Sequence, residues 1–255
     1  MLLMRMALPI PYWDTVRKCK CELVPNLDQH TALSFKTGRH FSTKCSKAWR
    51  IRIHNCIRDK IAAMYSAVRA NYGVEARGLY RQLTSYGDHK PADVLVHAGS
   101  VHQDEYPGKA LALDVAITDP TCVTALGLNS HQKPLAAAGN RHEAKLSTHR
   151  VAERQAVQDG LGPLPFDKAP IVIETSGAFS NFTQKWFKKM VKIDKSQQDW
   201  NGTGVFTSRR LRGLDWTWSA NSFSSWHLQS LSVAQARLQA QAVNHMISIC
   251  EHQEL

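Results

Sequence analysis

The sequence predicts a mixed α/β fold, because short apolar segments typical of β-strands alternate with longer segments of helical periodicity. Two strand-like segments, 92–97 and 110–118, are separated by residues rich in Gly, Ser, Asp and Pro, which predicts a hairpin with a long loop. A third apolar run, 169–175, predicts another buried strand. Since helical segments lie between and around these runs, a sheet covered by helices is favoured over a helical bundle.

Four segments predict helices. In the first, which ends near Tyr72, apolar residues recur at helical spacing, at Ile53, Ile57, Ile61, Met64 and Val68. The second, 135–158, is rich in Ala, Arg and Glu. The third follows Gly177, and the last runs over about 224–249. Between residues 48 and 180 the predicted order is therefore helix, strand, strand, helix, strand.

Composition divides the chain into three zones. Residues 1–47 form an N-terminal segment that contains Cys and His, residues 48–180 form the α/β core, and residues 181–255 form a basic helical C-terminal extension rich in Trp. The six cysteines are scattered unevenly, which does not predict a disulfide framework in a chain of this size. We therefore expect an intracellular protein with reduced thiols.

The chain is strongly basic, with 32 Lys and Arg residues against 21 Asp and Glu, a net charge of +11. This balance is typical of a protein that binds a polyanion, so we expect nucleic acid, DNA in particular, as the partner and the nucleus as the location. Solubility alone explains the charge equally well. No segment reaches the about 20 uncharged apolar residues of a membrane-spanning helix. Neither a membrane partner nor a small-molecule organic cofactor is expected.

Two carboxylates lie in the predicted strands. Asp93 is at the start of one strand, and Asp114 is in the middle of its neighbour, between Leu113 and Val115. A carboxylate in so apolar a run is unfavourable to bury unless something binds it. Two such groups on adjacent strands can share a hard cation such as Mg²⁺ or Mn²⁺, which would activate a water against a phosphate. The alternatives are that Asp93 caps a turn after Pro91 and that Asp114 pairs with a buried arginine.

Four short segments carry a resemblance to a known family: KPADV at 90–94, ALDVAITDP at 112–120, EAKLSTH at 143–149 and IVIETSGA at 171–178. In order and spacing they resemble the PD-(D/E)xK restriction-endonuclease-like nucleases found in retrotransposon and reverse-transcriptase-associated proteins. The resemblance covers about the middle half of the chain. It implies a restriction-endonuclease-like core and Mg²⁺-dependent hydrolysis of DNA phosphodiester bonds, with Asp93 and Asp114 as the metal-holding acids.

The chain departs from this family at one position. The family has a lysine two places after the second acid, where strand alternation puts both side chains on one face, but this chain has Ala116. Lys145 in the following helix is the candidate replacement, expected to orient the attacking water and stabilise the phosphate, although a solvated lysine is the alternative. His142 and His149 are spaced to share its helix face. Glu75 and Glu174 are candidates for a further acid.

The N-terminal segment resembles the zinc knuckles that precede the nuclease core in the same mobile-element proteins. Cys19, Cys21 and His30 are the candidate Zn²⁺ ligands, and tetrahedral zinc needs a fourth. That fourth ligand is sought among Cys45, His40 and His54, the last in an Ile-His-Asn segment at 53–55. Ordinary reduced thiols are the alternative.

The C-terminal zone supplies candidate phosphate contacts that do not distinguish base sequence: Lys185, Lys188, Lys189, Lys192, Arg209, Arg210 and Arg212. The tryptophans, Trp216, Trp218 and Trp226, are interpreted as core residues in preference to base-stacking ones. Two functions other than a nuclease remain open. One is a catalytically inactive nucleic-acid-binding remnant of a retroelement protein, and the other is a structural α/β domain with incidental charge.

Overall fold

A computed structural model of the chain describes residues 47–80, 92–120, 122–130, 132–200 and 223–251. It shows a mixed α/β fold, as the sequence predicts. The elements in chain order are α1 (Lys47–Ala67), β1 (Tyr72–Ala76), β2 (Ala92–Val96), β3 (Ala110–Thr118), α2 (Val123–Gly127), α3 (Ala136–Gln158), β4 (Phe166–Glu174), α4 (Asn181–Trp200) and α5 (Phe223–Glu251).

The four strands form one sheet in the order β1-β2-β3-β4. The pairs β1–β2 and β2–β3 are antiparallel, so the hairpin predicted for β2 and β3 is confirmed. Strand β4 lies parallel to β3, with Asp114 level with Pro170. Parallel neighbours need a crossover connection, and α3 provides it.

Helix α3 packs along one face of β3 through small residues. At one end, Ala138 packs in a buried cluster with Ala116 and Val172. At the other, Ala152 and Ala156 pack in a second cluster around Ala112. Because Ala112, Asp114 and Ala116 alternate along one strand, this packing points the Asp114 side chain towards the middle of α3.

Two elements were absent from the sequence prediction. Strand β1 contains a glycine and a left-handed residue, Glu75 with φ 54°, and lacks the alternation of apolar residues that predicts a strand. Helix α2 has five residues, which is too short for a periodic signal.

The remaining helices lie where periodicity predicts them, except that α1 ends at Ala67 and not near Tyr72, which begins β1. The five apolar residues that defined the first predicted helix are all buried. Helix α4 is anchored to β4, because the backbone N–H of Val172 donates to Oγ1 of Thr183 over 2.9 Å. None of the described helices is both long and apolar enough to cross a membrane.

Contacts between residues divide the chain into two compact units. One is Arg58–Ser230, which contains the whole sheet, α3 and α4. The second unit consists of the residues on either side. In it the ring of Trp49 lies 5.8 Å from that of His245, and the guanidinium of Arg52 lies 4.9 Å from the Trp49 ring centre. The division predicted from composition at residues 47 and 180 stays a prediction.

Candidate active site

Asp114 is the centre of a charged cluster on the face of the sheet that α3 covers. The Asp114 side chain is buried, and each of its oxygens contacts an ammonium group. The Nζ atom of Lys145 lies 2.7 Å from Oδ1, and the Nζ atom of Lys168 lies 2.7 Å from Oδ2. These paired charges make burial of the carboxylate tolerable. The alternative prediction from the sequence was that Asp114 pairs with a buried arginine. It is wrong, because the observed partners are two lysines.

Lys145 reaches Asp114 because of its place on α3. It lies midway between Ala138 and Ala152, which pack beside Ala116 and Ala112 respectively. The helix and the strand are therefore in register at Lys145 and Asp114. The sequence analysis selected this lysine, and the structure brings it into contact with the second acid.

Asp93 lies beside Asp114 on the neighbouring strand. The pairing of Val94 with Leu113, continued by one residue, puts Asp93 opposite Asp114, where the side chains of an antiparallel pair share a face. Its Oδ2 accepts a hydrogen bond from the backbone N–H of Val115 over 2.7 Å. This bond fixes the half-buried Asp93 carboxylate at the edge of the cluster.

Lys168 was missed by the sequence analysis. The predicted strand began at residue 169, whereas β4 begins at Phe166. Because β4 begins earlier, Lys168 pairs with Ala112. Every second residue of a strand points to the same face, so Phe166, Lys168 and Pro170 share the face of Asp114. The strand periodicity of two, extended backwards from residue 169 through the two charged residues Asp167 and Lys168, would have identified Lys168.

The histidines predicted to extend a polar stripe along α3 form hydrogen bonds with partners other than the two acids. The Nδ1–H of His142 donates to the carbonyl of Pro170 over 3.2 Å, and its ring lies against Phe182. His149 is buried and bonds through Nδ1 to the hydroxyl of Tyr80 over 2.9 Å. Burial lowers the pKa of His149. Of the three residues, Lys145 is the one that contacts Asp114.

The two further candidate acids have other partners. Glu75 in β1 forms an ion pair with Arg58 in α1. Glu174 is buried at the end of β4, where burial raises its pKa, although hydrogen bonds from the backbone of Ala138 and the hydroxyl of Ser176 oppose that shift. The contact with Ala138 places this carboxylate at the first turn of α3, where the helix dipole favours negative charge.

The lysines of α4 do not form one uniform surface. Lys185, Lys188 and Lys192 are exposed. Lys189 is instead mostly covered and lies 2.8 Å from Asp104 and 3.1 Å from Glu105, in the loop between β2 and β3. This contact with Lys189 holds the pKa of Asp104 below its usual range. The structure thus gives Lys189 partners within the protein.

Several predicted residues lie outside the described residues. They are Cys19, Cys21, His30, His40, Cys45, Arg209, Arg210, Arg212, Trp216 and Trp218. Trp226 lies within the described residues and is buried in α5, as expected for a core residue. His54 is also described, and its Nδ1 lies 3.3 Å from Oδ1 of Asn55.

The donor set around Asp114 suits a hard divalent cation that keeps most of its water. Within the described ranges, no three His, Cys, Asp or Glu side chains come together as a metal-binding group. Mg²⁺ is commonly bound by one or two carboxylates with water and substrate phosphate completing the shell, so Asp93 and Asp114 are the residues here that could hold it. Because both oxygens of Asp114 contact lysines, cation binding there requires at least one of these contacts to be exchanged.

No protein-family model matches this chain, and no curated protein is a significant match to it.

Proposed function

We propose that this protein is a Mg²⁺-dependent DNA endonuclease with a restriction-endonuclease-like core, derived from a mobile element. The observation that carries the proposal is the convergence of two lysines on Asp114, with a second carboxylate, that of Asp93, on the adjacent strand. Two acids on one face of a mixed sheet, with lysines beside them, suit phosphodiester hydrolysis, because a cation-binding pair and positive charge near the phosphate both stabilise the transition state.

The arrangement of elements supports the nuclease-like core. An antiparallel pair, β2 and β3, carries the two acids, and a helix follows with the lysine before a parallel strand completes the sheet. Each segment of the family resemblance that falls within the described residues lies on one of these elements. In this proposal Lys145 takes the place of the lysine that the family has at the position of Ala116.

Asp93 and Asp114 would hold the Mg²⁺ or Mn²⁺ ion. When bound, such an ion supplies an activated water and neutralises charge on the phosphate. The Lys145 side chain is 26% exposed, so its ammonium has access to a phosphate at the surface of the cluster. The Lys168 side chain is 7% exposed and lies against Oδ2, where it holds the Asp114 carboxylate in its orientation. Lys145 therefore contacts the substrate, and Lys168 positions the acid.

The exposed lysines of α4 supply contacts to the DNA backbone in this proposal. Lys185, Lys188 and Lys192 recur at helical spacing, so they can follow one phosphate strand without reading its bases. A nuclear location follows from a DNA substrate. Zinc at Cys19, Cys21 and His30 belongs to the same proposal as a separate N-terminal element.

Cleavage of supercoiled plasmid DNA by the full chain in millimolar Mg²⁺ or Mn²⁺ tests the proposal. Asp114→Asn is expected to lower the cleavage rate by at least about a hundredfold, because the site loses the charge of the residue that both lysines contact. Asp167→Asn is the matched control, since Asp167 lies in β4 and pairs with Lys109 away from the cluster. Undiminished cleavage by Asp114→Asn would rule out this site.

A catalytically inactive nucleic-acid-binding remnant is the second candidate. Ala116 and the lysine on each oxygen of Asp114 favour it, because a closed charge cluster also suits a purely structural role. In that case no variant cleaves DNA, and Asp114→Asn binds DNA at least as tightly as the unaltered chain, since a negative charge is removed. DNA binding measured by fluorescence anisotropy alongside the cleavage assay separates the two candidates.

A further inference from the structure

The two lysines on Asp114 differ in their access to solvent. The Lys145 side chain reaches Oδ1 from α3 and is 26% exposed, whereas the Lys168 side chain reaches Oδ2 from within the sheet and is 7% exposed. Lys145 can therefore exchange its carboxylate partner for one in solution by rotating its long side chain. Lys168 has no comparable freedom, because leaving Asp114 would strand its ammonium among buried groups.

Among the described residues, the charges of the four named side chains of the cluster cancel. Asp93 and Asp114 contribute two negative charges, and Lys145 and Lys168 contribute two positive charges. A divalent cation that binds Asp114 would approach two ammonium groups, each of which already contacts one of the Asp114 oxygens. Like charges at such distances repel strongly in a partly buried site.

We propose that Lys145 gates the acidic pair. Without a polyanion its ammonium occupies Oδ1 of Asp114 and keeps divalent cations out, and a DNA phosphate draws it away, so cation and DNA bind cooperatively. This inference rests on the proposed nuclease function and adds a regulation of its site. As a consequence, the cation that hydrolysis needs binds to Asp93 and Asp114 only when DNA is already bound.

The first measurement uses Mn²⁺ alone, with free Mn²⁺ followed by electron paramagnetic resonance in solutions of the full chain. Lys145→Met keeps the length of the side chain and removes its charge, so we expect Mn²⁺ to bind about tenfold more tightly than to the unaltered chain, a size typical of coupling between sites. Asp114→Asn added to Lys145→Met should abolish that gain. A merely structural role for Lys145 predicts equal or weaker Mn²⁺ binding.

The second measurement follows the coupling from the side of the DNA, since coupling between two ligands is reciprocal. The affinity of a fluorescein-labelled duplex is measured with and without Mn²⁺ at constant ionic strength, and Asp114→Asn gives the effect of Mn²⁺ that does not involve the site. Mn²⁺ should tighten DNA binding to the unaltered chain by about tenfold and leave Lys145→Met unaffected. Lys133→Met, which removes an exposed lysine outside the site, should keep the enhancement.

Two results would overturn the gate: Mn²⁺ binding to Lys145→Met that is no tighter than to the unaltered chain, or Mn²⁺ enhancement of DNA binding that persists in this variant. If the unaltered chain nevertheless cleaves plasmid DNA, the nuclease function stands and the gate alone fails. Mn²⁺ binding that is insensitive to Asp114→Asn in every background would contradict both, because the acidic pair would then not be the cation site.

Discussion

The ammonium of Lys168 lies 2.7 Å from Oδ2 of Asp114, and the two side chains are only 7% and 10% exposed. Lys168 is level with Ala112 in the parallel pairing of β3 and β4, so it meets Asp114 diagonally across the two strands. This contact gives the buried carboxylate a partner that belongs to the sheet itself.

We expect Lys168→Met to destabilise the fold. Removing one partner of a buried ion pair leaves an incompletely compensated charge, which costs about 3 kcal/mol in the free energy of unfolding. Urea denaturation measures this change. Lys109→Met is the matched control, because Lys109 also pairs with an aspartate of β4 but is 32% exposed, and its loss should cost less than about 1 kcal/mol. Equal losses for the two variants would show that burial of the Lys168 contact is energetically unimportant.

Placing a lysine at 116 should not restore a nuclease motif but should disrupt packing. Ala116 is 5% exposed and packs against Ala138 and Val172, where α3 approaches the sheet closely. A lysine there would overpack the cluster and bury a charge, so Ala116→Lys should lose at least about 3 kcal/mol in the free energy of unfolding. Ala144→Lys, on the exposed side of α3, should change it by no more than about 0.5 kcal/mol. A stable Ala116→Lys variant with faster cleavage would contradict this expectation.

Stability should fall as the pH is lowered from 6.5 towards 4. Burial, with the nearby Lys189, lowers the pKa of His102 to about 4, and burial lowers the pKa of His227 to about 4 as well. Between pH 4 and 6.5 the unfolded chain therefore binds protons that the folded protein does not, so the free energy of unfolding decreases as the pH falls through this window. Each histidine contributes up to about 3 kcal/mol, and no further loss from these groups follows below pH 4.

His102→Gln isolates one of these contributions. Its amide cannot take up a proton, so the slope of unfolding free energy against pH between 4 and 6.5 should become shallower than in the unaltered chain. Chemical denaturation at a series of pH values provides the comparison. A slope for His102→Gln as steep as that of the unaltered chain would show that His102 does not titrate in this window.

The lysines of α4 should contribute unequally to DNA binding. Replacing Lys185, Lys188 and Lys192 together by Gln should weaken DNA binding and make the dependence of log affinity on log salt concentration shallower, by about 0.9 for each phosphate that is no longer neutralised. Lys189→Gln should leave that slope unchanged, because Lys189 pairs with Asp104 and Glu105. Anisotropy titrations over a range of salt concentrations measure both. A larger change of slope for Lys189→Gln than for the triple variant would reverse this assignment.

The structure shows which parts of the fold were accessible from local sequence. The predicted hairpin is β2–β3, and the helix predicted over 135–158 is α3 at Ala136–Gln158. Both depend on periodicity within a short stretch, which neighbouring residues in the chain determine. Strand β1 was missed because its five residues lack that periodicity, and it becomes a strand through its pairing with β2.

The residues of the candidate site also fall into two groups, those identified from the sequence and those whose contacts only the tertiary structure determines. Asp93 and Asp114 were selected from the sequence because they are carboxylates in predicted strands, and Asp114 lies inside an apolar run. Lys145 was selected as the replacement for the lysine that the resembled family has at the position of Ala116. The contact of Lys168 with Asp114 and the ion pairs of Lys189 were decided by tertiary structure alone. They depend on the register of β4 beside β3 and on the position of a loop over α4, and no local periodicity encodes which distant side chains will meet.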